Sequence, residues 1–322
     1  MRILISAANA DVCLSMARIL RTDNFYSRAK IIGLVPDAPW PALHFFDDVI
    51  SVPMADSPHY DSSLESIIND LKPEIFVPFS EAELSWFAAN YDMISSLGTK
   101  VIINNKSVLD TFLDKRNTAQ YLRGLGVPVP KTYDPESFSA EFLPVIIKPR
   151  RSAGSKNMAV IRNNMQWEGF KLQHKQDLPE FVVQELIDVP DAEFTCALWR
   201  VGATGKQCTF RRRLQGGMTG VAHVEHSDSI VQVLENIADS IQGDFFINVQ
   251  LRLRDNVPYV FEINPRFSST VMMRHKIGFS DFIWTLNSSL QREEEINWDP
   301  PIGTTIFRVS DECVVNKEGI VI

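Results

Sequence analysis

Cysteine is scarce and scattered here: Cys13, Cys196, Cys208 and Cys313 are the whole complement, with no CxxC pair among them. That pattern gives neither a disulfide framework nor a zinc ribbon, and a reducing cytoplasm is the expected setting. Long apolar runs are missing, since stretches such as 145–147 and 257–263 are strand-sized and far short of the ~20 residues of a membrane span. The opening MRILISAANA lacks the n-region and long h-region of a secretion signal and reads as a first strand. Basic excess is also missing. With 32 Lys and Arg against 40 Asp and Glu, the net charge is −8, which argues against a general nucleic-acid binder but permits a local cationic pocket.

Three motifs are absent as well. The first strand-to-helix turn, Ser6-Ala7-Ala8-Asn9-Ala10-Asp11, has no glycine, whereas a dinucleotide site uses GxGxxG to bring backbone against a pyrophosphate. No GxxxxGK[ST] occurs. His223 and His226 are not in HExxH spacing and have no evident third ligand, so a zinc site is not expected there.

A chain of 322 residues with 45% hydrophobic and 22% charged composition suggests two or three packed globular units. Strands at 2–6, 30–35, 49–52, 75–78 and 101–104 alternate with helical patterns at 11–21, 62–71 and from Glu81. Such alternation predicts a parallel sheet with helices on its faces. Helices are expected at 106–114 and 115–126, 229–241 and 281–290, and strands at 144–149, 181–187, 196–201, 206–212, 304–309 and 314–316.

The most informative stretch is 245–269, FFINVQLRLRDNVPYVFEINPRFSS, two strands around Asp255-Asn256. Glu262 and Asn264 lie two apart and share a face. Oxygen donors followed by Arg266 suit Mg²⁺ held together with a phosphate-bearing substrate. If Gln250 is to join them it must pair with Glu262, which requires a three-residue loop, 255–257, or an equivalent bulge. A two-residue turn alone would set Gln250 opposite Phe261 and flip Glu262 to the other face. Further back, 144–149 is a strand ending in Lys148, a point charge suited to phosphates. The small residues Ser152, Gly154 and Ser155 follow it, able to fold over phosphates and donate backbone N–H groups.

Gln250 and then Glu262-Ile263-Asn264-Pro265-Arg266 resemble the metal-binding end of the ATP-grasp superfamily, most closely the large subunit of carbamoyl phosphate synthetase. The segment after Lys148 resembles that superfamily's KPxxGxGSxG region, with Ala153 in one glycine position. The resemblance runs over the whole chain and is most specific over 110–270. It implies an α/β fold of three parts: a Rossmann-like domain (1–105), a small lid with leading helices (106–185), and a C-terminal antiparallel-sheet domain (186–322).

By the same resemblance, Lys115 and Lys148 reach nucleotide phosphates, Glu185 and Leu186 contact adenine, and Glu193 accepts from the ribose hydroxyls, with Asp191 as substitute. Gln250, Glu262 and Asn264 bind two Mg²⁺ ions, for which Mn²⁺ can stand in, and Arg266 stabilises the transferred phosphoryl group. A cation in the run 211–213 faces the γ-phosphate or the acceptor; Arg211 and Arg213 share a face and are preferred, and the segment 214–220 is a loop closing over the acceptor. A charged strand edge is the plain alternative. The resembled synthetase carries a histidine in the neighbourhood of His223 and His226, which makes one of these a candidate to face the acceptor. Ser6–Asn9 and Ser80-Glu81, at strand ends, are acceptor-site candidates, or simply helix caps.

The implied reaction is ADP-forming activation of a small carboxylate as an acyl phosphate, captured by an amine. Kinase-type phosphoryl transfer and a non-catalytic nucleotide-binding regulator are the alternatives. Small-molecule substrates are the expected partners, nucleic acid and membrane are not, and a homodimer stays open.

Overall fold

The computed structural model describes residues 1–36, 41–151, 157–293 and 295–309. Strands β1 (Arg2–Ile5), β2 (Lys30–Val35), β3 (Asp48–Ser51), β4 (Ile75–Val77) and β5 (Lys100–Val101) form a parallel sheet in the order β3-β2-β1-β4-β5. β1 is apolar over Ile3–Ile5 because helices cover both faces of the sheet. Ile3 and Ile5 pack toward α1 (Asp11–Thr22), while Leu4 packs toward α2 (Tyr60–Leu71) and α3 (Glu81–Ala89). The glycine-free first turn lies tight against β2, where a Cβ on Gly33 would meet that of Ala8 at 2.7 Å.

Helices α4 (Lys106–Phe112) and α5 (Lys115–Gly124) come next. The sequence reading assigns them to the lid. Instead Val108, Phe112, Leu122 and Val127 bury their apolar faces in the core of the C-terminal sheet. The lid itself is a four-stranded sheet, β6 (Thr132–Tyr133), β7 (Val145–Pro149), β8 (Ala159–Ile161) and β9 (Phe181–Glu185), in the order β6-β9-β7-β8. It is backed by α6 (Asn164–Gln173), a helix the sequence reading does not include, through Trp167 and Phe170.

The third sheet is antiparallel, in the order β14-β13-β10-β11-β12-β15. Its strands are β10 (Glu193–Val201), β11 (Thr204–Gln215), β12 (Met218–Val224), β13 (Phe245–Arg254), β14 (Val257–Asn264) and β15 (Thr305–Phe307). The expected acceptor loop at 214–220 is a tight hairpin here. Gly216 and Gly217, at φ 58° and 80°, turn β11 into β12, and both glycines supply a backbone that other residues adopt at a cost. Helix α7 (Asp228–Ser240) packs on one face of the sheet with α4 and α5. Helices α8 (Val271–Lys276) and α9 (Asp281–Ser289) cover part of the other, against the N-terminal domain. The strand expected at 314–316, with Cys313, lies outside the described residues. Among those described, no helix is long and apolar enough to cross a membrane.

Candidate active site

The β13–β14 hairpin sets the site. Its turn is two residues, Asp255-Asn256, both left-handed at φ 50° and 59°, with Arg254 opposite Val257. The three-residue loop therefore does not form, because Asp and Asn tolerate this backbone and close the tighter turn. A bulge restores the register instead. Leu251 pairs with Val260, Gln250 pairs with Glu262, and Phe261 is the extra residue between them. Val260 and Ile263 stay in the core while Phe261, Glu262 and Asn264 line the cleft.

Opposed residues across antiparallel strands share a face. Glu193 pairs with Arg252, Thr195 with Gln250 and Asn248 with Asn264, so these side chains form one polar surface. Arg212 joins it. Its Nε and Nη2 donate to Glu193 Oε1 at 3.0 and 2.8 Å, and Nη2 also donates to Gln250 Oε1 at 2.8 Å. Arg252 holds the other oxygen, Nε and Nη2 donating to Glu193 Oε2 at 3.1 and 2.8 Å. Burial pushes the Glu193 carboxyl up, but Arg212 and Arg252 outweigh it and hold it below the usual carboxylate range.

Three expectations are corrected here. Arg211 and Arg213 do not face the cleft. Arg211 lies across from His223 on the opposite face and pairs with Glu225 at 2.6 Å, while Arg213 is exposed and pairs with Asp191 at 2.9 Å. Alternation puts Arg212 inward, on the face of Cys208 and Phe210. Glu193, for its part, has its ordinary acceptor capacity of about four sites taken by two guanidinium forks, which leaves none for ribose hydroxyls in this arrangement. Asp191, the substitute, is committed to Arg213. His223 meets Thr305 and exposed His226 meets Asp228, so neither lines the cleft.

Lys148, at the end of β7, is buried, with Nζ 3.0 Å from Gln184 Oε1 and 4.7 Å from the centre of the Phe261 ring. Burial pulls its ammonium down to about 8, with Glu262 opposing and Lys115 and Arg252 adding to the fall. Lys115 Nζ is 3.9 Å from Glu262 Oε1. Its place follows from the start of α5, where Asp114 caps the helix and is gripped by Arg150, whose Nη2 is 2.7 Å away. Glu185 and Leu186 line the same cleft. The Glu185 carboxylate is engaged by Arg254 at 2.9 Å and by the Lys131 N–H at 3.2 Å. The cleft encloses about 520 Å³ between lid and sheet, with Ile146, Val160, Leu186 and Phe261 as its apolar walls.

The N-terminal domain closes one end through α1 and Phe79. Arg266 stacks on Phe79, 4.7 Å from the ring centre, with Nη2 4.0 Å from Glu81. Burial raises the Glu81 carboxyl, against Arg266 and Lys115. Ser6 and Ser80 are structural: Ser6 donates to Glu83 at 2.7 Å, and Ser80 with Glu83 forms the capping box of α3. Asn9 accepts from the Ala42 N–H. Asn104 is a residue that sequence reasoning passes over. Fully buried, its Nδ2 donates to the carbonyls of Phe246 and Pro265 at 2.9 and 2.8 Å, and its Oδ1 accepts from the Phe246 N–H at 3.0 Å. A polar residue just after a parallel-sheet strand is its one sequence signal.

A family profile described as ATP-grasp domain matches residues 112–270. The chain carries an ATP-grasp domain. It is 25% identical over 200 residues to the carbamoyl phosphate synthase large chain of Mycobacterium sp. (strain JLS), a match covering 56% of this chain and 18% of that one. The chain thus spans about a fifth of the length of the curated relatives it matches. The fold is similar to that of N5-carboxyaminoimidazole ribonucleotide synthetase from Thermus thermophilus, with a TM-score of 0.71 at 12% identity over 98% of this chain and 83% of that one. It is similar also to an L-amino acid ligase from Bacillus licheniformis, with a TM-score of 0.68 at 15% identity over 91% and 75% of the two chains.

Within the ATP-grasp domain the donors suit a hard divalent ion. Glu262 and Asn264 offer one carboxylate and one amide oxygen on β14, a set that needs phosphate oxygens or water to complete a shell, while the Gln250 oxygen expected to join them is held by Arg212. No cluster of three or more His, Cys, Asp or Glu fit to hold a metal occurs among the described residues. Ser152, Gly154 and Ser155 lie outside those residues. Cys13, Cys196 and Cys208 are buried free thiols, that of Cys196 pushed up to about 12 by burial, which suits packing rather than nucleophilic chemistry.

Proposed function

We propose that the protein is an ATP-dependent, ADP-forming ligase that activates a small carboxylate as an acyl phosphate for capture by an amine. One observation carries this reading: a cleft between two sheets holds buried cations on one side and an oxygen-donor hairpin on the other. The substrate class proposed for it is an amino acid or another small acid. In support, relatives of this fold include an L-amino acid ligase.

Adenine would lie in the apolar slot of Ile146, Val160, Leu186 and Phe261, beside the β9 hinge. Lys115 and Lys148 would take phosphate oxygens, and Arg266 would stabilise the transferred group at the end nearest the N-terminal domain. Mg²⁺ held by Glu262 and Asn264 would supply charge neutralisation on the phosphate chain. Phosphoryl transfer asks a protein mainly for positioning and electrostatics, and the rigid sheet face provides both. The carboxylate substrate oxygen attacks the γ-phosphorus as the bond to ADP breaks. The amine then displaces phosphate from the acyl carbon and gives up a proton.

The test is ADP release from Mg·ATP with pooled amino acids and small carboxylic acids, followed by mass spectrometry of active pools. ADP, phosphate and a condensed product are expected. AMP with pyrophosphate, or a stable phosphoester, would overturn the mechanism.

A further inference from the structure

We propose that Arg212 stands where a second metal ion would otherwise bind, so that the site takes one divalent cation per nucleotide and not two. This deepens the ATP-dependent reading and rests on it. Arg212 is the cation that sequence reasoning passes over, and its side chain is only 9% exposed. Two guanidinium groups share the single carboxylate of Glu193, which leaves one positive charge uncompensated in the group. Arg252 is turned toward the hinge, with Nη1 donating to the Ile187 carbonyl at 2.7 Å. Arg212 is turned toward Gln250, whose Oε1 it approaches to 2.8 Å. The surplus charge therefore sits beside the candidate metal ligands.

Gln250 is an amide and brings no negative charge to the site. Its one side-chain oxygen already accepts a charge-assisted hydrogen bond. A magnesium ion binding that oxygen at about 2.1 Å would face the guanidinium across a neutral group, with no anion between them to offset the repulsion. Arg212 cannot swing aside cheaply, because its Nε and Nη2 both grip Glu193 and leaving would strand a half-buried carboxylate half-paired. Glu262 and Asn264 lie on the far side of Gln250 from Arg212, in β14, and remain able to hold one ion. The negative charge of the ATP phosphates would then meet Lys115, Lys148, Arg212 and a single divalent ion. The expectation of two ions from the family resemblance gives way to one ion and one fixed guanidinium.

The probe is Mn²⁺ with the non-hydrolysable β,γ-imido analogue of ATP, the free ion counted by electron paramagnetic resonance against nucleotide bound. Wild-type protein is expected to retain one Mn²⁺ per bound nucleotide. Gln250→Glu alone should keep that count, since the new carboxylate pairs with Arg212, while Arg212→Met with Gln250→Glu should raise it to two. Two ions per nucleotide in the wild type, or in Gln250→Glu alone, would overturn the assignment of Arg212 even with the ATP site intact. A wild type that binds no Mn²⁺-nucleotide at all would sink the ATP-dependent reading, and this inference with it.

Discussion

One face of the six-stranded sheet has two halves that differ completely. At one end Ala197, Trp199, Phe210 and Phe246 are buried under α9 and the N-terminal domain. At the other, on the same strands and the same face, Glu193, Arg212, Gln250 and Arg252 stand open to the cleft. The switch falls at Thr195 and Asn248, whose side chains bond each other at 2.9 Å. The opposite face is apolar where β10 and β13 carry Phe194, Cys196, Val249 and Leu251, and charged on β11, where Arg211 and Arg213 hold their ion pairs. Alternation along a strand thus assigns a residue to a face. A change of chemistry along that face marks where packing ends and a site begins.

The contrast can be broken most sharply from the apolar half. Trp199→Ala removes a ring packed edge-on to Trp284, and should cost about 3–5 kcal/mol of stability while nucleotide affinity of the folded fraction is kept. Urea unfolding with and without ATP measures both, and a large loss of affinity would mean that the halves are coupled. From the polar half, Glu262→Gln should lower ADP release about 10²–10³-fold with the thermal midpoint within a few degrees of wild type. Normal turnover would remove Glu262 from the metal set.

Much of this division is legible in the sequence, and the reasons are local. The hairpin face follows from period-two alternation. Even the bulge leaves a trace, since the core residues Val260 and Ile263 are three apart where a regular strand would space them by two or four. Arg212 escapes a reading that takes the run 211–213 by itself. Its partners in parity, Cys208 and Phe210, are the clue that this face runs inward. The burial of α4 and α5 on the C-terminal sheet has no such signal, because their apolar stripes would suit either neighbour.

Smaller effects sharpen the comparison further. Lys148→Ala should weaken ATP binding about 10–100-fold by isothermal titration, the loss of one buried charge contact, and unchanged affinity would mean that the lysine serves Gln184 alone. The same group predicts a pH dependence. Phosphate favours the charged form, so affinity should hold at pH 7 and fall as pH rises through about 8. The sign for stability is opposite, because the unfolded lysine keeps its proton to the ordinary 10.5 while the folded one gives it up near about 8. With the folded value depressed, the unfolded chain binds more protons between the two values, and the empty protein gains stability as pH climbs through them. Lys148→Arg, which does not titrate there, should flatten the binding profile, and a persisting slope would assign it to another group. Least affected should be Arg213→Ala, on the outward face, changing turnover by less than about twofold, since its exposed pair with Asp191 contributes little.

Asn104 gives the arrangement a mechanical consequence. Its three buried hydrogen bonds fasten the segment leaving the parallel sheet to β13 at Phe246 and to the backbone at Pro265. The amide of Phe246 is thereby locked by a residue 142 positions away in the chain. In deuterium exchange it should open only when the two domains part, which makes it a reporter of the joint itself and not of the strand in which it lies.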